Sequence, residues 1–343
     1  MICVLLVIQI PCHNEADTLP GVVRELPRRI EGVEAVRVVV IDDGSTDGTA
    51  EAARVAGADH VIRHPIRRGL AAAFRSGIEY CRKAGADIVV NTDGDGQYRG
   101  ADVAHLVALV VAKQADVVVG DRNPGGLPHF SPFKRAMQWL GSRIVSMLAR
   151  TPLPDVTSGF RAYSRQAIMR LTIETSFSHS LETLVQATWK GLEVRSLPVD
   201  ARQTHRRSRL SPSSLHFIAR QSVTLLRVMV LYRPLTLFWT LGFGMIAIGA
   251  APVIRFLWFY TQGDGGGHIQ SLVIGGTLLM MGAACVLFGL LADQVNGNRR
   301  LLEDISERVR TLEIERVAVT EEEPVAPKKP TTAPKLPLQQ DGV

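Results

Sequence analysis

The segment Asp93-Gly94-Asp95-Gly96-Gln97 sets two carboxylates one glycine apart, directly after the apolar run Ala86-Asp87-Ile88-Val89-Val90-Asn91-Thr92. Carboxylate and amide oxygens suit hard divalent ions such as Mg²⁺ or Mn²⁺, which commonly complete their shell with a substrate's phosphate oxygens. A glycine between the acids lets the backbone approach a ligand with no Cβ in the way. Alone, the triplet is equally what a surface turn looks like. Two more acidic groups follow apolar runs: Asn14-Glu15 after residues 4–10, and Asp42-Asp43 after residues 36–41. If these runs are neighbouring strands, all three groups meet at one sheet edge. So much negative charge in one place calls for a cation or for hydrogen-bond donors. Each group separately could be a turn or a cap, and Asp47 is placed to cap the helix that follows it. The coincidence of three points to a site.

The elements that would position these acids alternate along the first half of the chain. Strands are expected over 4–10, 36–41, 60–63, 88–91 and 115–120, and helices over 18–29, 47–56, 70–84 and 103–114. Such alternation predicts an α/β sandwich with a mostly parallel sheet, and open sheets of this kind bind ligands beyond their strands' carboxyl ends. No G-x-G-x-x-G follows the first strand, so a dinucleotide phosphate loop is missing. Further on, residues 133–150 and 164–191 read as helices flanking the turn-like Leu153-Pro154-Asp155-Val156-Thr157-Ser158-Gly159.

Hydrophobic residues make up 46% of the 343, and the excess is concentrated late in the chain. The uncharged run 234–254 would extend about 31 Å as a helix at ~1.5 Å per residue, enough for a bilayer's hydrocarbon core. Residues 269–292 form a second uncharged run, so two membrane spans are expected. Arg227 and Arg233 precede the first, Arg299 and Arg300 follow the second, and the loop 261–268 has no Lys or Arg. The positive-inside rule then puts the large amino-terminal domain and the tail in the cytoplasm. Arg255, beside Phe256, Trp258, Phe259 and Tyr260, is expected to snorkel within an aromatic belt.

The division that results is a soluble domain over 1–212, an interfacial amphipathic helix over 213–233, a two-helix membrane hairpin over 234–292, a charged helix over 293–317 and a disordered tail over 318–343. The charged helix carries Leu301, Leu302, Ile305, Val309 and Leu312 on one stripe, to pack on the soluble domain or on a neighbouring subunit. Met1 to Ile10 is apolar but lacks a basic start and reads as a strand, not a signal peptide. Cys3, Cys12, Cys81 and Cys285 show no paired spacing for a disulfide framework or a zinc site. A net charge of +6 is too modest to argue for nucleic acid.

Five motifs in order make the reading specific. Pro11-Cys12-His13-Asn14-Glu15, Ile41-Asp42-Asp43-Gly44-Ser45-Thr46-Asp47, Asp93-Gly94-Asp95-Gly96-Gln97, Gly120-Asp121-Arg122 and Asp155-Val156-Thr157-Ser158-Gly159-Phe160-Arg161 resemble those of family 2 glycosyltransferases. The branch most similar is the dolichol- or polyprenyl-phosphate mannosyltransferases, of which a bacterial-type subset ends in two membrane spans. The resemblance covers about residues 1–230. It implies a GT-A-like nucleotide-sugar-binding sandwich and inverting transfer of a hexose from a nucleoside diphosphate sugar, GDP-mannose or UDP-glucose, to polyprenyl phosphate. Pro11, His13, Glu15, Ile41 and Asp43 would then hold base and ribose, and Asp93 and Gly94 would contact the nucleotide. Asp95 and Gln97 would ligate Mg²⁺ or Mn²⁺ on the diphosphate. Arg122 would meet a phosphate of donor or acceptor, and Arg202 and Arg209 resemble basic positions of a loop that closes over phosphates. Asp155 would orient Arg161 or the acceptor, general-base action being its weaker reading. Self-association of the chain is left open.

The chain departs from the family at two places. His13 stands where a Tyr is frequent, and Arg202-Gln203-Thr204-His205-Arg206-Arg207-Ser208-Arg209 lacks the family's glycine and is one residue longer. Lys134 or Arg135 would supply a further phosphate contact. A processive polysaccharide synthase would carry Q-x-x-R-W, but Gln186-Ala187-Thr188-Trp189 has no arginine at its place. A non-catalytic nucleotide-sugar-binding membrane protein would leave the acidic set without a purpose.

Overall fold

The computed structural model describes residues 4–122, 143, 146, 155–172, 179–202, 223, 226–227, 229–263 and 269–322. Among them seven strands form one sheet: β1 (Leu5–Cys12), β2 (Ala35–Asp42), β3 (His60–Arg63), β4 (Ile88–Asn91), β5 (Val117–Asp121), β6 (Arg161–Ser164) and β7 (Val194–Pro198). Their order is β3-β2-β1-β4-β6-β5-β7. β6 runs antiparallel between β4 and β5, and every other pairing is parallel. Helices α1 (Leu19–Glu25), α2 (Thr49–Val55), α3 (Leu70–Lys83) and α4 (Asp102–Val111) connect the first strands, and α5 (Arg165–Arg170) and α6 (His179–Trp189) precede β7. Val7, Val39 and Val89 pack under Phe74 and Ile78 of α3, whereas Leu6, Ile8 and Val40 pack under Leu19, Val23 and Leu106. Burial on both faces explains why these strands read as unbroken apolar runs.

Register brings the acidic groups to one edge. Cys12 lies opposite Asp42, and Gln9 lies opposite Asn91, the last residue of β4. Gln9 O accepts the Thr92 N–H at 3.1 Å, so Pro11, two residues on, faces the same neighbour just past the end of β4. No ladder donor is needed there, and a proline is tolerated in a central strand.

The expectation of a continuous helix over 164–191 is incorrect. Its start belongs to β6, where Phe160 and Ala162 join one core and Tyr163 the other; period-2 burial makes a strand. α5 and α6 are separate helices, and β7 was not foreseen. Asp47 is not the cap of α2: Gly48 is, in the left-handed region, with Asp47 Oδ1 accepting the Thr49 N–H at 3.1 Å. The helix expected over 133–150 lies outside the described residues except at 143 and 146, as do 213–222 of the interfacial helix.

Near the carboxyl end, α7 (Pro234–Thr261) and α8 (Ile269–Glu322) are both long and apolar enough to cross a membrane. They pack antiparallel on glycines. A Cβ on Gly242 would lie 2.9 Å from Gly282 O, and one on Gly275 would lie 2.7 Å from Gly249 O, the close backbone approach that small residues permit. The Arg255 guanidinium lies over the Phe259 ring, 5.8 Å from its centre. α8 does not stop at 292: hairpin arm and charged helix are one element. Its charged face docks on the soluble domain, with Arg170 Nε 3.2 Å from Glu307 Oε1 and Lys190 Nζ 3.7 Å from Glu303 Oε2.

Candidate active site

Where β1 and β2 end, the chain ties its acids down. Asp42 Oδ1 accepts the Ser45 N–H at 2.9 Å, and its Oδ2 lies 3.3 Å from Arg63 Nε. Asp43 accepts the backbone N–H groups of Arg68 (2.8 Å) and Gly69 (2.7 Å) and faces His64 Nδ1 at 2.8 Å. Burial alone would raise its pKa, but His64 and the two N–H donors together outweigh that and hold it below the usual carboxylate value. Gly44 makes this turn possible. Its φ is +68°, and a Cβ would sit 2.6 Å from Arg67 N. His13 Nδ1 lies 2.9 Å from Asp43 O, and Asn14 N donates to Ser45 Oγ at 2.9 Å. Thr18 Oγ1 lies 2.9 Å from Glu15 Oε2 and 3.0 Å from Gly94 O, joining the loops after β1 and β4.

The end of β4 is different. Asp93 is half-buried, and among the described residues no hydrogen-bond donor reaches its carboxylate. Burial, then the neighbouring charge of Asp95, push its pKa up to about 6, with Arg122 opposing and Glu15 adding to the rise. Gly159 lies against it, for a Cβ there would be 3.1 Å from both carboxylate oxygens. Asp95 Oδ1 accepts the Gln97 N–H at 3.0 Å. The buried Cys12 thiol is also pushed up, by burial first and then by Asp42, Glu15, Asp47 and Asp43. Negative potential therefore pervades this edge, as a cation site requires.

Opposite the acids stands one guanidinium in a fixed plane. Arg122 Nε and Nη2 meet Asp155 Oδ2 and Oδ1 at 2.7 and 3.0 Å, and Nη2 also donates to Thr157 Oγ1 at 3.0 Å. Burial would lower the Arg122 pKa, but the paired carboxylate raises it further, so the cation is permanent. Burial alone would raise Asp155, yet its bonds to Arg122 and Thr157 hold it below the ordinary value. Arg122 Nη1 points to Gln97 Oε1 at 3.4 Å.

Of the residues singled out in the sequence, Pro11, His13, Glu15, Asp43, Asp93, Gly94, Asp95, Gln97, Arg122 and Asp155 come together at this edge. Ile41 does not line it: fully buried, its side chain packs in the core beneath α3, against Gly77. Asp155 orients Arg122, not Arg161. The Arg161 guanidinium is buried and bound by Ser180 O, Thr183 Oγ1 and Val156 O. Arg202 holds Glu25 through two bonds of 2.8 and 2.7 Å, with its N–H on Gln97 O at 2.8 Å. Arg209, Lys134 and Arg135 lie outside the described residues. Thr18, Glu25 and Thr157 were overlooked. Thr157 had a signal, two residues after an aspartate in a turn, whereas Glu25 reads as an ordinary exposed helix residue.

The comparisons with known proteins agree with this geometry. Residues 7–172 match the model of "Glycosyl transferase family 2". The undecaprenyl-phosphate mannosyltransferase of Micrococcus luteus is 29% identical over 187 residues, 53% of this chain and 75% of that protein. The polyprenol monophosphomannose synthase of Mycolicibacterium smegmatis is 30% identical over 201 residues, 55% and 74% of the two chains. Among solved structures, glucosyl-3-phosphoglycerate synthase from Mycobacterium tuberculosis, in complex with Mn²⁺, UDP and glucosyl-3-phosphoglycerate, superposes with a TM-score of 0.51 at 19% identity. That match covers 65% of this chain and 78% of the synthase, and it is a likeness of fold, the GT-A-like sandwich with a mostly parallel sheet. Family model and relatives thus converge on the sheet whose edge carries the acids: the chain is a glycosyltransferase and belongs to glycosyl transferase family 2.

Proposed function

We propose that this glycosyltransferase moves a hexose, mannose or glucose, from a nucleoside diphosphate sugar to polyprenyl phosphate with inversion at the anomeric carbon, on the cytoplasmic face of a membrane. The observation that carries the reading is the pairing of Asp93, which no donor among the described residues reaches, and its neighbour Asp95 with an Arg122 guanidinium locked in plane by Asp155. Relatives named for polyprenyl-phosphate mannosyl transfer supply the acceptor class. The helices α7 and α8 supply a means of meeting a lipid.

Mg²⁺ or Mn²⁺ fits the residues present. A carboxylate such as Asp93, whose pKa is raised by burial and by the neighbouring Asp95 charge, gains from a dication, and Asp95 and the Gln97 amide are hard oxygen ligands. Among the described residues no three His, Cys, Asp or Glu side chains are placed to hold an ion alone, which suits an ion that shares its shell with a diphosphate. Bound there, it would stabilise the charge growing on the departing nucleoside diphosphate. Pro11, His13, Glu15 and Asp43 form the wall for base and ribose, with Asp93 and Gly94 at the nucleotide. Arg122 holds phosphate in line; an acceptor phosphate is ionised at neutral pH, so orientation and charge are needed more than a base. Arg202 joins the phosphate contacts by exchanging Glu25 for the ligand, and Arg209 by the same closing loop.

Incubating membranes that contain the protein with labelled GDP-mannose, UDP-glucose and Mg²⁺ or Mn²⁺ tests the proposal. A chloroform-soluble, mild-acid-labile labelled lipid is expected. Its absence with every donor and both metals would overturn the reading.

A further inference from the structure

Beyond its docked face, α8 carries a second seam. Leu302, Ile305, Val309 and Leu312 follow one another at intervals of three, four and three residues, and they are 67%, 58%, 47% and 64% exposed. The pattern extends backward through the exposed Asn298 to Val295. A three-four alternation is the heptad spacing that keeps one helix seam against another helix of the same period. At about 100° per residue, the seam lies about 90°, 130° and 170° around the helix from Arg299, Glu303 and Glu307, which face the soluble domain. Docking therefore leaves the seam open. It is not a lipid-facing surface either, because it is narrow and flanked along the chain by Asp304 and Arg308.

We infer that this seam pairs with the same seam of a second copy of the chain, as a parallel two-stranded coiled coil that makes the enzyme a homodimer. Charge complementarity selects that occupant. In heptad terms Arg308 flanks the seam on one side, and the sequence puts Glu313 on the other side five positions on. A parallel pair brings those two positions together across the interface twice. The polar Asn298 within the seam sets the register. Parallel orientation rests on the proposed reading of α7 and α8 as membrane spans, which insert both copies the same way up. Confinement to one membrane also raises the local concentration enough for so short a seam to associate. Soluble domains held on another face of α8 lie outward and do not obstruct it.

The test uses the full chain in membranes and then in detergent. Ile305→Cys should crosslink to a dimer under mild oxidation, whereas Asp304→Cys, off the seam, should stay monomeric. Light scattering in detergent should give a dimer for the wild type and a monomer for Ile305→Asp/Val309→Asp. Arg308→Glu should weaken the dimer, and adding Glu313→Arg should restore it. A wild-type monomer, equal crosslinking of the two cysteine variants, or an Ile305→Cys variant that stays monomeric with its new thiol shielded from a maleimide would each overturn the inference. None of these measurements reads sugar transfer. An inactive protein that dimerises contradicts only the proposed function, and an active monomer contradicts only the dimer.

Discussion

The ends of β2 and β4 look alike in sequence, two acids after an apolar strand, yet they differ physically. At β2 each carboxylate is compensated within the protein: the Ser45 N–H and an ion pair with Arg63 for Asp42, and His64 with two backbone N–H groups for Asp43. At β4, Asp95 accepts the Gln97 N–H, whereas no donor among the described residues reaches the Asp93 carboxylate, and burial with the Asp95 charge pushes its pKa up to about 6. The first pair builds the wall of the site. On the proposed reading, the second keeps its charge for a bound ion or ligand. Motif spacing locates an acid, and only its donor count tells structure from chemistry.

The largest effect expected is at Asp95. Asp95→Ala should reduce sugar transfer by about 10³-fold, the scale of losing one preorganised electrostatic group, with melting temperature in EDTA unchanged or raised. Transfer assays and thermal denaturation of the purified variant check both halves. Substantial activity retained in Mg²⁺ would remove Asp95 from the metal role.

Arg122→Lys comes next. A lysine keeps the charge but loses the planar two-bond grip on Asp155. Activity should fall by about 10–100-fold, mainly in kcat because orientation is what is lost. Asp155→Asn should give a similar loss by releasing the same guanidinium, and the double variant should be little worse than either single. Additive losses would show that the two residues act separately.

At β2 the prediction inverts. Asp43→Asn leaves one amide oxygen to face three donors and removes the charge they stabilise. It should cost about 2–3 kcal/mol of stability, read as a lower denaturation midpoint in EDTA. The matching change at β4, Asp93→Asn, should not destabilise the domain. If both variants lose equal stability, the contrast between the two strand ends fails.

Much of this arrangement was legible before any coordinates. β1 to β5, the edge where their acids meet and the two long apolar helices follow from unbroken apolar runs and their punctuation. The strand β6 escaped the reading, which began a helix at 164, because it is only four residues long and opens on the charged Arg161. The Arg161 guanidinium is spent on Ser180, Thr183 and Val156, partners no local pattern reveals. For the same reason Asp155 was joined to the wrong arginine. Ile41 stands between motif residues but packs inward, since alternate side chains of a strand point to opposite faces. The Arg202–Glu25 pair spans 177 residues, beyond the reach of any spacing rule.

The smallest effect separates the two ends by the sign of their pH dependence. Asp43 and Asp155 have pKa values below the unfolded value of about 4. The stability they contribute is complete above that value and is lost as pH falls through their lowered pKa values. Asp93, near 6 when folded, binds its proton more tightly folded than unfolded. Its contribution is complete below pH ~4 and is lost as pH rises through about 6, so its charged form destabilises the metal-free protein at neutral pH by about 3 kcal/mol. Between pH 5 and 7.5 only the β4 term changes. Over that interval in EDTA the wild type should lose stability relative to Asp93→Asn, and saturating Mn²⁺ at pH 7.5 should close the gap, because a bound dication compensates the charge that burial penalises. Parallel melting curves for the two proteins across this range, with and without Mn²⁺, would show instead that Asp93 is already compensated within the protein. The end of β4 would then be no different in kind from the end of β2.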